Sequence, residues 1–151
     1  MVFLQDLYHA HIQHIAKVNK WYTYGECAPD YRAWLRAETY LRLDMLITNL
    51  QIAFLPNCIL PGDSAVLELV SRQTGLPIIQ AHRFSFAEAL VALQPALEAV
   101  KIPPALRQYP PHVLKIIKNE QWNSQIELPP YSRDEWDHSL MKKCLDKHMH
   151  R

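Results

Sequence analysis

The side chains of this chain best equipped for chemistry are carboxylates and histidines set at helical spacing. Glu135-x-x-His138 places a carboxylate and an imidazole on one helix face, because residues three apart are neighbours there. Asp6-x-x-His9 repeats the spacing with the shorter acid, and Glu38 and Glu88 lie in other helical stretches. Asp6, His9, Glu38, Glu88, Glu135 and His138 together form a donor set of the kind that holds a metal ion between helices. A second full Glu-x-x-His is missing, and the simpler reading makes these residues solvated helix faces and first-turn acids. His9, His11 and His14 form an HxHxxH cluster. At about 100° per residue His9 and His11 diverge, and only His11 and His14 are neighbours.

The six donors resemble the ligand pattern of di-iron helical bundles, which implies a metal-dependent helical-bundle enzyme as the alternative function. A different resemblance lies in Leu69 to Phe84, LVSRQTGLPIIQAHRF. It resembles the helix-turn-helix of bacterial transcription regulators, with Ser71, Gly75, Leu76, Ala81 and Phe84 at the small, turn and apolar positions. That resemblance implies nucleic-acid contact through Arg72, Gln80, His82 and Arg83. Ile78 and Ile79 stand where polar base-reading residues belong, and Asp63, Glu68, Glu88 and Glu98 outnumber the two arginines between 63 and 100. Gly62-Asp63-Ser64 resembles the nucleophile block of GDSL-type hydrolases, but the βα alternation that such a serine needs is absent. Pro61-Gly-Asp63 with Glu68 resembles restriction-like nucleases, with Val70 where a lysine is required. Asp63 and Ser64 are better explained as helix caps.

The elements that must position these residues read as helices. Asp30 to Leu55 runs without Gly or Pro between Pro29 and Pro56, and it is expected to be a central helix capped by Asp30. Tyr31, Trp34, Leu35, Leu41, Met45, Ile52 and Ala53 mark one apolar face, and Tyr40, Leu43, Ile47, Leu50 and Phe54 another. Burial on two sides follows, with Ala33, Ala37, Asp44, Thr48 and Gln51 on the narrow strip between. Glu38, Arg42 and Asn49 project into the first face as a polar seam. Glu38 and Arg42, four apart, are expected to pair.

Residues 3–22 read as an amphipathic helix, and Ala65 to Thr74 as another that stops at Gly75. Residues 78–84 form a helical turn or an extended link. Ser85-Phe-Ala-Glu88 is a capping box opening a helix to about Val100, which Pro95 should break or kink. A short helical piece over 105–109, a longer helix over 112–122 and an irregular crossover or single short strand over 124–131 follow. Ser132-Arg-Asp-Glu135 reads as a second capping box for a final helix to about His148. The expected fold is all-α, a single domain over 1–151 built as an irregular bundle of five or six helices around 30–55.

Sixteen Lys and Arg against 15 Asp and Glu give a net charge of +1, so no global field selects nucleic acid, anionic lipid or a polyanionic substrate. Cys27, Cys58 and Cys144 are odd in number and far apart, which fits neither a disulfide framework nor a metal knuckle. Three glycines, none close together, exclude the phosphate-cradling loops of nucleotide enzymes. The start of the chain lacks a basic, then apolar, secretory pattern, and Arg42, Asp44, Asn49 and Gln51 interrupt the most apolar run. A cytoplasmic protein without a membrane span and without a cofactor is expected. The favoured role is a non-catalytic interaction protein, an adaptor or regulatory subunit with a protein partner or a second copy of itself. Nucleic acid enters that reading through the helix-turn-helix-like segment at 65–84.

Overall fold

A computed structural model of the chain describes residues 2–23, 28–54, 61–118 and 128–149. Among them the protein is all-α, with eight α-helices and two 3-10 turns, and no strand beyond an isolated bridge between Tyr22 and Pro29. The helices are α1 (Val2–Asn19), α2 (Tyr31–Phe54), α3 (Gly62–Thr74), α4 (Ile78–Ala81), α5 (Phe86–Ala92), α6 (Gln94–Ala99), α7 (Pro111–Ile117) and α8 (Ser139–Met149). The end of the helix expected over 112–122 and most of the crossover expected at 124–131 lie outside the described residues. The chain divides into two compact units. The first holds 1–41, 102–130 and 134–151; the second holds 42–101 and 131–133, so that α2 contributes its two halves to different units.

In the first unit, Leu7, Tyr8, His11, Ile12, Ile15 and Ala16 make the buried stripe of α1, which packs on α8. The helix ends because Lys20 turns into the left-handed region (φ 58°), and Trp21 N–H returns to the Ala16 carbonyl at 3.0 Å. Asp30 caps α2 as expected. Its Oδ1 accepts from Arg32 N at 2.9 Å, and its Oδ2 takes the Arg32 guanidinium at 2.6 Å.

Burial of α2 differs from the pattern of its large apolar side chains. Ala33, Ala37 and Asp44, expected on the polar strip, are buried, and so is Arg36. Small side chains let a neighbouring element approach closely, so a row of alanines can be a contact face as readily as a row of leucines. Conversely Ile52, expected inside, is 70% exposed. The half of α2 in the second unit therefore buries one side, through Leu43, Asp44 and Leu50, and leaves the other partly open.

The second unit packs α3 on α4 and α5. Its core contains Ala65, Val66, Val70, Ala81, Ala89, Leu90, Leu93 and Leu97. Gly75 ends α3 at φ 76°, with its N–H on the Ser71 carbonyl at 2.9 Å. The capping box at Ser85 is present with both bonds: Glu88 N–H to Ser85 Oγ at 3.1 Å, and Ser85 N–H to Glu88 Oε1 at 2.9 Å. Those bonds hold the Glu88 carboxyl below its ordinary range. The break before Pro95 falls at Leu93, after which Pro95 occupies the first turn of a new helix, where its missing N–H costs nothing.

Two boundaries are corrected. α3 starts at Gly62, and Asp63 sits in its first turn paired with Arg133 at 2.8 Å instead of capping it. The final helix starts at Ser139, not at 132. Residues 133–135 form a single 3-10 turn, and Asp137 Oδ1 accepts from Ser139 N at 3.0 Å and from Ser139 Oγ at 2.5 Å. Partial burial works against charge on Asp137. The Ser139 bonds, with help from Lys143 and His14, outweigh it and lower its carboxyl.

Candidate functional site

Two features stand out, one buried in the first unit and one exposed in the second. The buried one centres on Glu135. Its side chain and that of Arg36 are 1% and 2% exposed and meet at 2.8 Å. Tyr40, one turn along α2 from Arg36, donates its hydroxyl to the same Oε1 at 2.7 Å, and Asn19 at the end of α1 donates to Oε2 at 2.6 Å. Arg36 also donates to the Pro129 carbonyl and stacks toward the Trp21 ring, 5.8 Å from its centroid. Burial, and then the bond to Glu135, push the Tyr40 phenol far above its usual range. Both carboxylate oxygens have donors, so Glu135 serves as a fixed anion that ties α1, α2 and the approach to α8 together.

A related cluster surrounds Glu38. Arg107 Nε and the Tyr109 hydroxyl both donate to Glu38 Oε1, at 2.9 and 2.8 Å. The pairing expected with Arg42 is thus replaced by partners from beyond α6. Trp34 packs its edge against the rings of Tyr8 and Tyr109 at 5.6 and 5.7 Å, and the Tyr8 hydroxyl bonds the Trp34 carbonyl at 3.1 Å. Of the polar seam, Glu38 alone joins a network. Arg42 is half-buried and has no hydrogen-bonding or ionic partner among the described residues, with its Nε shielded from solvent; Asn49 is exposed.

The six metal-ligand candidates stay apart. Among the described residues no three His, Cys, Asp or Glu side chains converge. Asp6 Oδ2 lies 2.9 Å from His148 Nε2, Glu88 is in its capping box, and Glu38 and Glu135 have the partners described above. Because α8 starts at Ser139, Glu135 and His138 do not share a helix face. The HxHxxH cluster disperses likewise. His9 packs on Trp34 at 5.5 Å, His11 is buried against Tyr40 at 6.4 Å, and His14 Nε2 donates to the Asp134 carbonyl at 2.9 Å.

The exposed feature lies over α3 to α5. The helix after Gly75 is a single turn, Ile78–Ala81, too short to lay a recognition face along a groove. Gln80, His82 and Arg83 are exposed around it, and Arg72 is bound to Glu68 at 3.0 Å one turn back on α3. More prominent are apolar side chains. Ile79 is 80% exposed and Val91 65%, and Ile78 is exposed too. Val91 lines an open concavity of about 390 Å³ with Phe84, Ala87, Glu88 and Ala92. Ile78 and Ile79 are exposed, as base-reading positions must be, but their side chains carry no group that could hydrogen-bond a base edge.

These features define a protein of the all-α class with a buried ion-pair centre and an exposed apolar surface. No family model matches the chain, and no curated protein or solved structure matches it. No helix among the described residues is long and apolar enough to cross a membrane.

Proposed function

We propose that the protein is a non-catalytic interaction protein, an adaptor or regulatory subunit, that meets a protein partner through its second unit. The observation that carries this reading is the exposure of large apolar side chains there: Ile52, Ile78, Ile79 and Val91, the last on the rim of an apolar concavity. Single exposed apolar residues are ordinary, but an exposed apolar side chain that lines an apolar concavity, as Val91 does, is characteristic of docking sites. A protein partner is favoured over nucleic acid by charge. Four acids oppose two arginines between 63 and 100, and one of those arginines is already held by Glu68.

The test is capture of partners by the tagged full chain from its native host, with Ile79→Asp and Val91→Asp compared at equal melting temperature. A stoichiometric partner is expected with the natural chain, with at least ~tenfold less on either variant. No partner, or capture indifferent to both changes, would overturn the reading. Duplex DNA binding that weakens with salt and with Arg83→Ala would transfer the surface to nucleic acid.

A further inference from the structure

Two exposed surfaces of the chain, one in each unit, carry apolar side chains among charges of opposite sign. In the second unit, Glu88, Val91, Pro95 and Glu98 follow one another at spacings of three, four and three, which puts them on one side of a helical run. The run continues through the division between α5 and α6. Leu93 N–H bonds the Ala89 carbonyl at 3.0 Å, and the Leu93 carbonyl accepts from Leu97 N–H at 2.9 Å. Ala89, Leu90, Leu93 and Leu97 take the core side, while Glu88, Val91, Pro95 and Glu98 are all exposed. From Phe84 to Val100 there are two glutamates and no Lys or Arg. Glu88 bonds to Ser85, and Glu98 accepts from Gln94, so neither meets a cation among the described residues. Val91, with the concavity it lines, therefore stands between two carboxylates that nothing neutralises.

The counterpart is α8, in the first unit. Lys142, Leu145 and Met149 share its outward side at spacings of three and four, and Cys144 is on the buried side. Leu145 is 43% exposed and Met149 76%. The helix carries three lysines and one aspartate. Lys143 and Lys147 lie toward Asp137 and Asp6, at 4.0 and 3.7 Å, whereas the exposed Lys142 meets no carboxylate among the described residues.

We propose that the outward side of α8 in one copy of this chain docks on the α5–α6 face of a second copy, with Leu145 and Met149 against Val91 and its concavity and Lys142 beside a glutamate of that face. The proposal rests on the docking reading above and names the occupant of the same surface. Residues at i, i+3 and i+7 are the anchors by which an amphipathic helix enters an apolar groove. Methionine, unbranched and flexible, suits an open concavity. Nucleic acid and anionic lipid fit less well, because this face presents carboxylates and no cation. Donor and acceptor are different surfaces, so the contact is head-to-tail. Each docked copy still offers one of each, and assembly proceeds to a ring or a filament.

Sedimentation velocity of the purified full chain tests this. Mass is expected to rise beyond a dimer as concentration approaches ~0.1 mM. Val91→Asp, without the receiving face, and Leu145→Asp, without the entering helix, are each expected to remain monomeric. Mixed in equal amounts, they are expected to form a one-to-one dimer and nothing larger, a gain that unfolded variants cannot produce. Glu98→Lys and Lys142→Glu, changes confined to solvent-facing charges, are each expected to weaken assembly at least ~tenfold and to restore it when mixed. The proposal is overturned if the natural chain stays monomeric, if assembly ignores these changes, or if neither mixture associates. It is overturned equally if Val91→Asp abolishes assembly while Leu145→Asp and Lys142→Glu leave it intact, the result of a dimer between like surfaces. Capture of a different host protein that depends on Val91, with the purified chain monomeric, would overturn this inference alone and leave the docking reading standing.

Discussion

Glu135 illustrates how far the meaning of one residue depends on its neighbours. Three donors from Arg36, Tyr40 and Asn19 surround a carboxylate that is almost wholly buried, and the whole group lies within one unit. Replacing Glu135 with alanine would leave the Arg36 guanidinium buried without its counter-charge. A loss of roughly 3–5 kcal/mol of stability is expected, read as a shift of the urea midpoint. Arg107→Ala is the contrast, since Arg107 is 36% exposed at its pair with Glu38. It is expected to cost less than about 1 kcal/mol. Equal losses in the two variants would contradict the ranking by burial. Neither Arg36 nor the role of Glu135 was legible in the sequence. A charged residue in an apolar stretch can be a pair, a site or a surface position, and the partner of Arg36 lies 99 positions away.

At the scale of the element, the ends of helices carry the sharpest information. Lys20 and Gly75 occupy the same left-handed region after α1 and α3, at φ 58° and 76°. Glycine pays no Cβ penalty there, whereas lysine does. Lys20→Gly is therefore expected to stabilise by about 1 kcal/mol, and Gly75→Ala to destabilise by about as much. Nothing lies within 4 Å of a Cβ at Gly75, so that cost would come from backbone conformation alone and not from a clash. Thermal melts of the two variants check both signs; a destabilised Lys20→Gly protein would show that lysine's own contacts outweigh its strain. The Ser85 box, the Gly75 stop and the Pro95 break were all readable because each depends on residues within one or two turns. The start of α8 was misplaced because Ser132 and Asp137 are both competent to cap, and long-range bonding to Glu135 decides between them.

For the molecule as a whole, stability is coupled to alkaline pH through three of the seven tyrosines. Burial first, and then the neighbouring Glu38 or Glu135 carboxylates, raise the phenols of Tyr8, Tyr40 and Tyr109 above the ordinary value of about 10. The folded protein keeps these protons when the unfolded chain would release them. Their contribution is fully present below pH ~10 and is lost as pH rises beyond it. Tyrosinate absorbance of these three is expected to appear together with unfolding, and Tyr40→Phe to reduce the steepness of the loss. Ionisation of all seven in the intact fold would contradict this.

The sequence by itself determined the helical class, the caps and most helix limits, because these follow from side chains that act on their own turn of backbone. It also singled out Glu38, Arg42 and Asn49 on α2, but it could not tell that Glu38 is taken by Arg107 and Tyr109, that Asn49 faces water, and that Arg42 is half-buried with no partner among the described residues. Only tertiary structure decided which side of α2 is covered, that the candidate metal donors disperse, and that Ile52, Ile79 and Val91 reach solvent. The reason is physical. Periodicity states which residues share a face, whereas burial and pairing depend on what the rest of the chain brings to that face.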